Sequence, residues 1–270
     1  MTHQKEQIKD LHAKLLEALC DIDAFCREHD ISYTLAYGSV LGAMRHQGFI
    51  PWDDDLDIQM TRENYEKFLS LYKNNDKYYL QKGLVDYPSP YSKIRCNNTS
   101  FIEDVPYKAK YKDIHQGVFV DIFCLDKFSS NPILAKLQVI FSKITVAQGL
   151  YLKGYKAQGI AKKIYIILAV LLLPFRKIFL KFVRSFNADT KSVTCDTFAD
   201  GLLFNRFDTK MFENPEYVVF EGKEFPVPGD TEKYLTMLYG DWRQLPSEEE
   251  RQARIHAKYF SITEDYTLHI

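Results

Sequence analysis

Residues 37–60 read YGSVLGAMRHQGFIPWDDDLDIQM, and the features of this run decide how the chain is organised. Gly38 and Ser39 open a short helical stretch from Ser39 to about His46, which Gly48 and Pro51 break. Asp53, Asp54, Asp55 and Asp57 then follow almost together. Carboxylates this close repel one another, so the cluster costs stability unless solvent or a cation relieves it. The alternation Asp55-Leu56-Asp57-Ile58 predicts a strand over 55–60, with both carboxylates on one face and both aliphatic side chains on the other. Gly38 allows a close backbone approach that a side chain would block. Ser39 is expected to cap the following helix, whose free amides would face a phosphate. An acidic turn in solvent is the plain alternative; the apolar alternation and the upstream Gly-Ser pair favour a shared metal.

The same residues carry a resemblance. Gly38-Ser39 followed by Asp55-x-Asp57 resembles the signature of the nucleotidyltransferase-fold superfamily, and the string from Gly38 to Ile58 closely resembles the LicD family within it. The resemblance extends to GVFVDIF at 117–123 and to YGDW at 239–242 with Leu245-Pro246, so it reaches both ends of the chain. It implies an α+β fold, with a nucleotidyltransferase-like mixed sheet flanked by helices. The activity it implies is transfer of phosphocholine from CDP-choline, or a related CDP-alcohol, to a hydroxyl of a lipid-linked glycan or teichoic-acid precursor, releasing CMP. In the superfamily a carboxylate on a neighbouring strand completes the metal site, and Asp121 matches that position. The resemblance thus implies Asp55, Asp57 and Asp121 as catalytic and metal-binding residues for Mg²⁺, with Mn²⁺ as the alternative. It makes Gly38 and Ser39 the donor-phosphate turn. Cys124 stands where the family pattern often has Pro. The same metal site would serve transfer of glycerol phosphate, ribitol phosphate or a nucleotidyl group. A non-catalytic membrane-associated assembly factor is the reading outside enzymes, and the intact acidic triad argues against it.

Other residues are weaker candidates. The segment Val118 to Cys124 is a nearly apolar strand interrupted by Asp121, a carboxylate that needs a basic or metal partner if buried. Lys93 and Arg95 alternate on a short strand at 91–95, either as a solvated face or as a basic pair holding the donor's phosphate. Arg45 near the end of the first short helix is ordinary exposed charge or a phosphate contact. Trp52 precedes the acidic cluster and is the best-placed aromatic for a quaternary ammonium, with packing as an equal account. His256 has no Cys or His at ligand spacing and is taken as solvated.

Composition sets the remaining limits. The chain has 270 residues, 46% of them hydrophobic, enough for a substantial core. Five cysteines, with no Cys-x-x-Cys pair, indicate neither a disulfide framework nor a zinc knuckle and fit a reduced compartment. The N-terminal residues lack the apolar core of a signal peptide, so the expectation is a cytoplasmic protein. Between Lys127 and Ala188 there are 11 Lys and Arg and no acidic residue, although the whole chain has a net charge of −1. Within that segment IYIILAVLLLPF at 164–175 is too short to span a bilayer. With Lys181 and Arg184 beyond it, it reads as a basic amphipathic region lying on an anionic membrane surface, with burial as the alternative. No nucleic-acid partner is expected. The division expected is a catalytic core over 1–130, a basic amphipathic helical region over 131–190, and a C-terminal part over 191–270 that completes the catalytic domain.

Overall fold

The computed structural model describes residues 2–103, 114–155, 157, 159–187, 193–195, 207–252 and 257–269. Helix α1 (Thr2–Glu28) presents Leu11, Leu15, Leu19, Ile22 and Cys26 at spacings of three and four, all buried in the main core. Strand β1 (Thr34–Leu35) leads into α2 (Tyr37–His46), then β2 (Asp57–Thr61), α3 (Arg62–Leu71), β3 (Tyr78–Gln81), β4 (Ser92–Cys96), β5 (Ser100–Glu103) and the long β6 (Phe119–Phe128). The helices α4 (Pro132–Lys153), α5 (Ile160–Leu171) and α6 (Arg176–Arg184) follow. Beyond them lie β7 (Val193–Cys195), α7 (Lys210–Glu213), β8 (Glu216–Phe220), β9 (Lys223–Val227), α8 (Thr231–Tyr239), α9 (Glu248–Gln252) and β10 (Ala257–Ser261).

The central sheet runs β1-β2-β6-β4-β3, with β7 pairing along the far end of β6. Only β2–β6 is parallel among these pairs; β1–β2, β3–β4, β4–β6 and β6–β7 are antiparallel. This is the α+β mixed sheet flanked by helices that the sequence led us to expect. Two segments from the C-terminal third return to the N-terminal half: β10 pairs with β5 in a separate two-stranded sheet, and the Tyr234 hydroxyl of α8 accepts a hydrogen bond from Gln59 Nε2 on β2 of the central sheet at 3.2 Å.

The strand expected at 55–60 begins at Asp57, so Asp55 sits in the loop before it and the alternation argument covers Asp57 alone. The first helix begins at Tyr37, ahead of Gly38 and Ser39, and no side chain caps it. The hairpin β8–β9 turns at Glu221-Gly222. His256 lies outside the described residues.

Helix α4 is long and apolar enough to cross a membrane, the one such helix among the described residues. Its buried strip is polar, however. Gln138 donates from Nε2 to the carbonyls of Lys127 and Val183 at 3.0 and 2.9 Å, and Gln148 donates to the Ala169 carbonyl at 2.9 Å. These bonds tie α4 to β6, α6 and α5, as in a helix that packs against protein. Asn131 caps it, its Oδ1 accepting from the amides of Ile133 and Leu134. Helix α5 is different: Ile160, Ile164, Tyr165, Ile167, Leu168 and Leu171 are exposed.

Candidate active site

The parallel pairing of β2 with β6 sets Asp57 opposite Asp121, and the antiparallel pairing of β4 with β6 sets Lys93 opposite Asp121. Register partners point to the same face of a sheet, so two carboxylates and one ammonium meet there. All three are buried. Lys93 Nζ lies 2.7 Å from Asp121 Oδ1, an ion pair whose approach angle falls short of a well-aligned hydrogen bond. Burial pushes the Asp57 carboxyl well above its ordinary range, and the charges of Asp55, Asp121 and Asp53 push it further against the pull of Lys93. Burial also raises Asp121, with Lys93 opposing.

Ser39 performs a different duty from the cap expected of it. Its Oγ accepts a hydrogen bond from the Asp57 amide at 2.8 Å, which locks the first turn of α2 onto the start of β2. Gly38 faces the acidic loop, where a Cβ would stand 3.1 Å from Asp53 Oδ2. Tyr37, just before it, holds a φ of +43°, and its amide donates to the Tyr234 hydroxyl at 3.2 Å. A non-glycine residue in that region is strained, and α8 supplies the bond that sustains it.

The acidic loop is drawn together more tightly than the sequence implied. Asp53, Asp54 and Asp55 bring carboxylate oxygens within 4.8 Å of one another. Asp54 accepts from the Ala257 amide at 2.9 Å, which anchors the loop to β10. Asp53 accepts through its carbonyl from His12 Nε2 at 2.7 Å, and the His12 ring stacks on Phe49 at 4.2 Å. The site therefore holds Asp53 beside Asp55, Asp57 and Asp121. The sequence reading saw Asp53 in the cluster without giving it a part; its place beside Gly38 is a tertiary fact.

Lys93 and Arg95 do share a face, but neither is solvated: they are 1% and 0% exposed. Both cations lie over the Phe119 ring, at 3.3 and 4.6 Å from its centroid. Arg95 donates to Gln81 Oε1 at 3.2 Å and to the Gly117 carbonyl at 2.9 Å, and its Nη2 lies 4.0 Å from Glu103 Oε2. Lys93 is thus beside the carboxylates, whereas Arg95 is committed mostly to holding β3 and the residues before β6. Arg45 donates from Nη1 to the Trp242 and Gln244 carbonyls at 3.2 and 3.5 Å, in a hollow of about 600 Å³ shared with Tyr239 and Asp241. It clasps the C-terminal YGDW segment to α2. Trp52 is half-buried, with the Arg251 guanidinium 4.7 Å from its ring centroid and His46 edge-on at 5.8 Å. A cation therefore already covers one face. A further cavity of about 540 Å³ lies behind the acidic loop, lined mainly by apolar α1 side chains with Phe49, Pro51 and Glu221. It carries no reactive constellation, and the carboxylate face is what defines the site.

The carboxylates fit a divalent cation. All donors are hard oxygens, and Asp57 and Asp121 are buried side by side, with Lys93 the one cation ion-paired to Asp121 among the described residues. Asp55, Asp57 and Asp121 would hold such an ion, with Asp53 adjacent.

Residues 30–141 match the family model described as LicD/FKTN/FKRP, nucleotidyltransferase domain. Over 92% of its length the chain is 27% identical to the lipopolysaccharide cholinephosphotransferase LicD of Haemophilus influenzae, covering 96% of that protein. It is also 28% identical to an uncharacterised protein of Rickettsia typhi, across 49% of this chain and 40% of the other. The parallel strand pair that joins Asp57 to Asp121, and the Gly38-Ser39 turn bonded to it, all fall within the matched residues. Residues 30–141, which hold these site residues, therefore match the nucleotidyltransferase domain of the LicD family.

Proposed function

We propose that this protein is a phosphocholine transferase that uses CDP-choline as donor and a hydroxyl of a lipid-linked surface glycan as acceptor, releasing CMP. The observation that carries the reading is the register pairing of Asp57 with Asp121 beside the Gly38-Ser39 turn and Lys93. The relationship to the Haemophilus influenzae enzyme supports the choline donor over polyol phosphates. In this reaction the acceptor oxygen bonds to the phosphorus that carries choline. The bond from that phosphorus to CMP breaks, and its electron pair leaves on the CMP phosphate. The hydroxyl proton passes to Asp121, whose burial raises its proton affinity. A Mg²⁺ ion held by Asp55, Asp57 and Asp121 would supply neutralisation of charge on the pyrophosphate. Ser39 keeps the first turn of α2, which holds Gly38 against the acidic loop, fixed to β2. Residues 1–130 form the catalytic core in this reading, and 191–270 complete it through α8 and β10.

The exposed apolar side of α5, rimmed by the exposed Lys162, Lys163, Lys177 and Lys181, supports peripheral docking of region 131–190 on the anionic inner face of the cell membrane. That placement would bring the site to a lipid-linked acceptor.

The deciding experiment offers CDP-choline, CDP-glycerol and CDP-ribitol with Mg²⁺ and follows CMP release. CMP from CDP-choline, lost on chelation, is the expected result. Release from CDP-glycerol or CDP-ribitol alone would transfer the assignment to a polyol phosphate. No release from any donor, with an acceptor-bearing membrane fraction present, would refute transferase activity.

A further inference from the structure

Helix α4 ends against the catalytic sheet. Gly149 comes so near the Tyr87–Tyr91 segment that a Cβ would stand 3.1 Å from the Pro88 carbonyl oxygen. Arg176, at the start of α6, donates from Nη2 to that same oxygen at 2.8 Å. Leu152 packs on Tyr87 and Ile114 together with Tyr91. This docking carries the next residue, Lys153, into the site, where its Nζ lies 4.5 Å from the Tyr87 ring centroid and 5.7 Å from that of Tyr91.

Lys93 Nζ lies 5.4 Å from the same Tyr91 centroid while contacting Asp121. Two ammonium groups from distant parts of the chain therefore flank one tyrosine ring beside the carboxylates. Lys93 has its carboxylate. Lys153 has no ion pair among the described residues, and it stays charged because Tyr87, Glu103 and Asp121 together outweigh the burial that disfavours its charge. Lys153 is half-buried, held charged beside the site, and without an ion pair among the described residues, so its ammonium is placed to receive an anionic ligand.

We infer that Lys153 is a substrate-binding residue that forms, with Lys93, an anion subsite for the pyrophosphate of the donor. The inference rests on the donor reading above, because a pyrophosphate diester is the anion that reading brings to this face. A lysine serves here as a point charge that follows phosphate oxygens without demanding fork geometry. The basic helical region is accordingly part of the substrate pocket as well as a candidate membrane contact.

The test compares the full-length protein with Lys153→Gln and Lys153→Arg. Binding of inorganic pyrophosphate is measured by calorimetry in the presence of chelator, alongside KM and kcat for CDP-choline. We expect Gln to weaken pyrophosphate binding and raise KM about tenfold, kcat changing less, and Arg to restore most of both. Thermal melting of each variant reports folding. Unchanged pyrophosphate affinity in Lys153→Gln, or an equal loss in the Arg variant, would overturn the subsite and leave Lys153 a packing residue. The two readings fail separately: pyrophosphate binding that depends on Lys153 without CMP release from any donor removes the transferase and keeps the subsite.

Discussion

The hydroxyl of Ser39 accepts a hydrogen bond from the amide of Asp57 at 2.8 Å, and both residues are buried. One bond thus couples the turn that would face phosphate to the strand that carries Asp57, a proposed metal ligand. Ser39→Ala leaves the Asp57 amide without its acceptor in a buried place, a loss of about 1–3 kcal/mol. Turnover should fall further than stability implies, because Asp57 loses its fixed position. Denaturant unfolding and CMP release on the same preparation check this; an unchanged unfolding midpoint would show that the bond does not matter.

Asp57 itself behaves differently. Burial, with Asp55, Asp121 and Asp53, raises its folded pKa, so without metal its stabilising contribution is greatest at low pH and is lost as pH rises through that raised value. Asp57→Asn should therefore melt higher than the parent at pH 8 in chelator, with the difference vanishing near pH 4. Turnover should drop by roughly a hundredfold or more, as removal of one preorganised electrostatic group does. Near-normal CMP release from Asp57→Asn would remove it from the site.

His115 gives a second pH signature with the opposite sign. Burial and the nearby Arg95 lower its pKa to about 4, against a weaker pull from Asp265. The neutral ring accepts from the Gly117 amide through Nδ1 at 3.0 Å, and its Nε2–H points to Asn97 Oδ1 at 3.0 Å. Its contribution is complete above about pH 6.5 and is lost as pH falls toward 4. His115→Asn keeps an acceptor for Gly117 but takes up no proton, so the slope of stability between pH 6.5 and 4 should flatten. An identical slope in parent and variant would show that another group titrates there.

Membrane docking separates by charge. Lys162, Lys163, Lys177 and Lys181 are exposed, whereas Arg184 is turned inward toward Arg62 and Asp126, and Arg176 holds the Pro88 carbonyl. Changing the four lysines to Gln should release the protein from anionic vesicles at physiological salt, each exposed charge being worth about 1 kcal/mol. Activity on soluble donor should persist. Arg176→Gln should instead lower that activity, by loosening the Tyr87–Tyr91 segment, with little effect on vesicle binding. Vesicle binding that survives the four-lysine change would mean that these lysines do not carry the docking.

The fold class, the acidic cluster and the pairing need of Asp121 were legible in the sequence because they rest on local pattern. Apolar periodicity marks α1, and a carboxylate inside an apolar strand declares that it must have a partner. The family string carried the identity of the domain. Which partner Asp121 takes was not legible, since Lys93 reaches it only through the register of β4 on β6, and register depends on the whole sheet. The burial of Arg95, the clasp from Arg45 to Trp242 and the arrival of Lys153 beside Tyr87 arise the same way. Sequence by itself determined which apolar positions line the core and that Asp121 must be compensated, because desolvation and local periodicity act on each segment alone. The tertiary structure decided which charges meet, because the residues involved are brought together by packing between elements that no local pattern specifies.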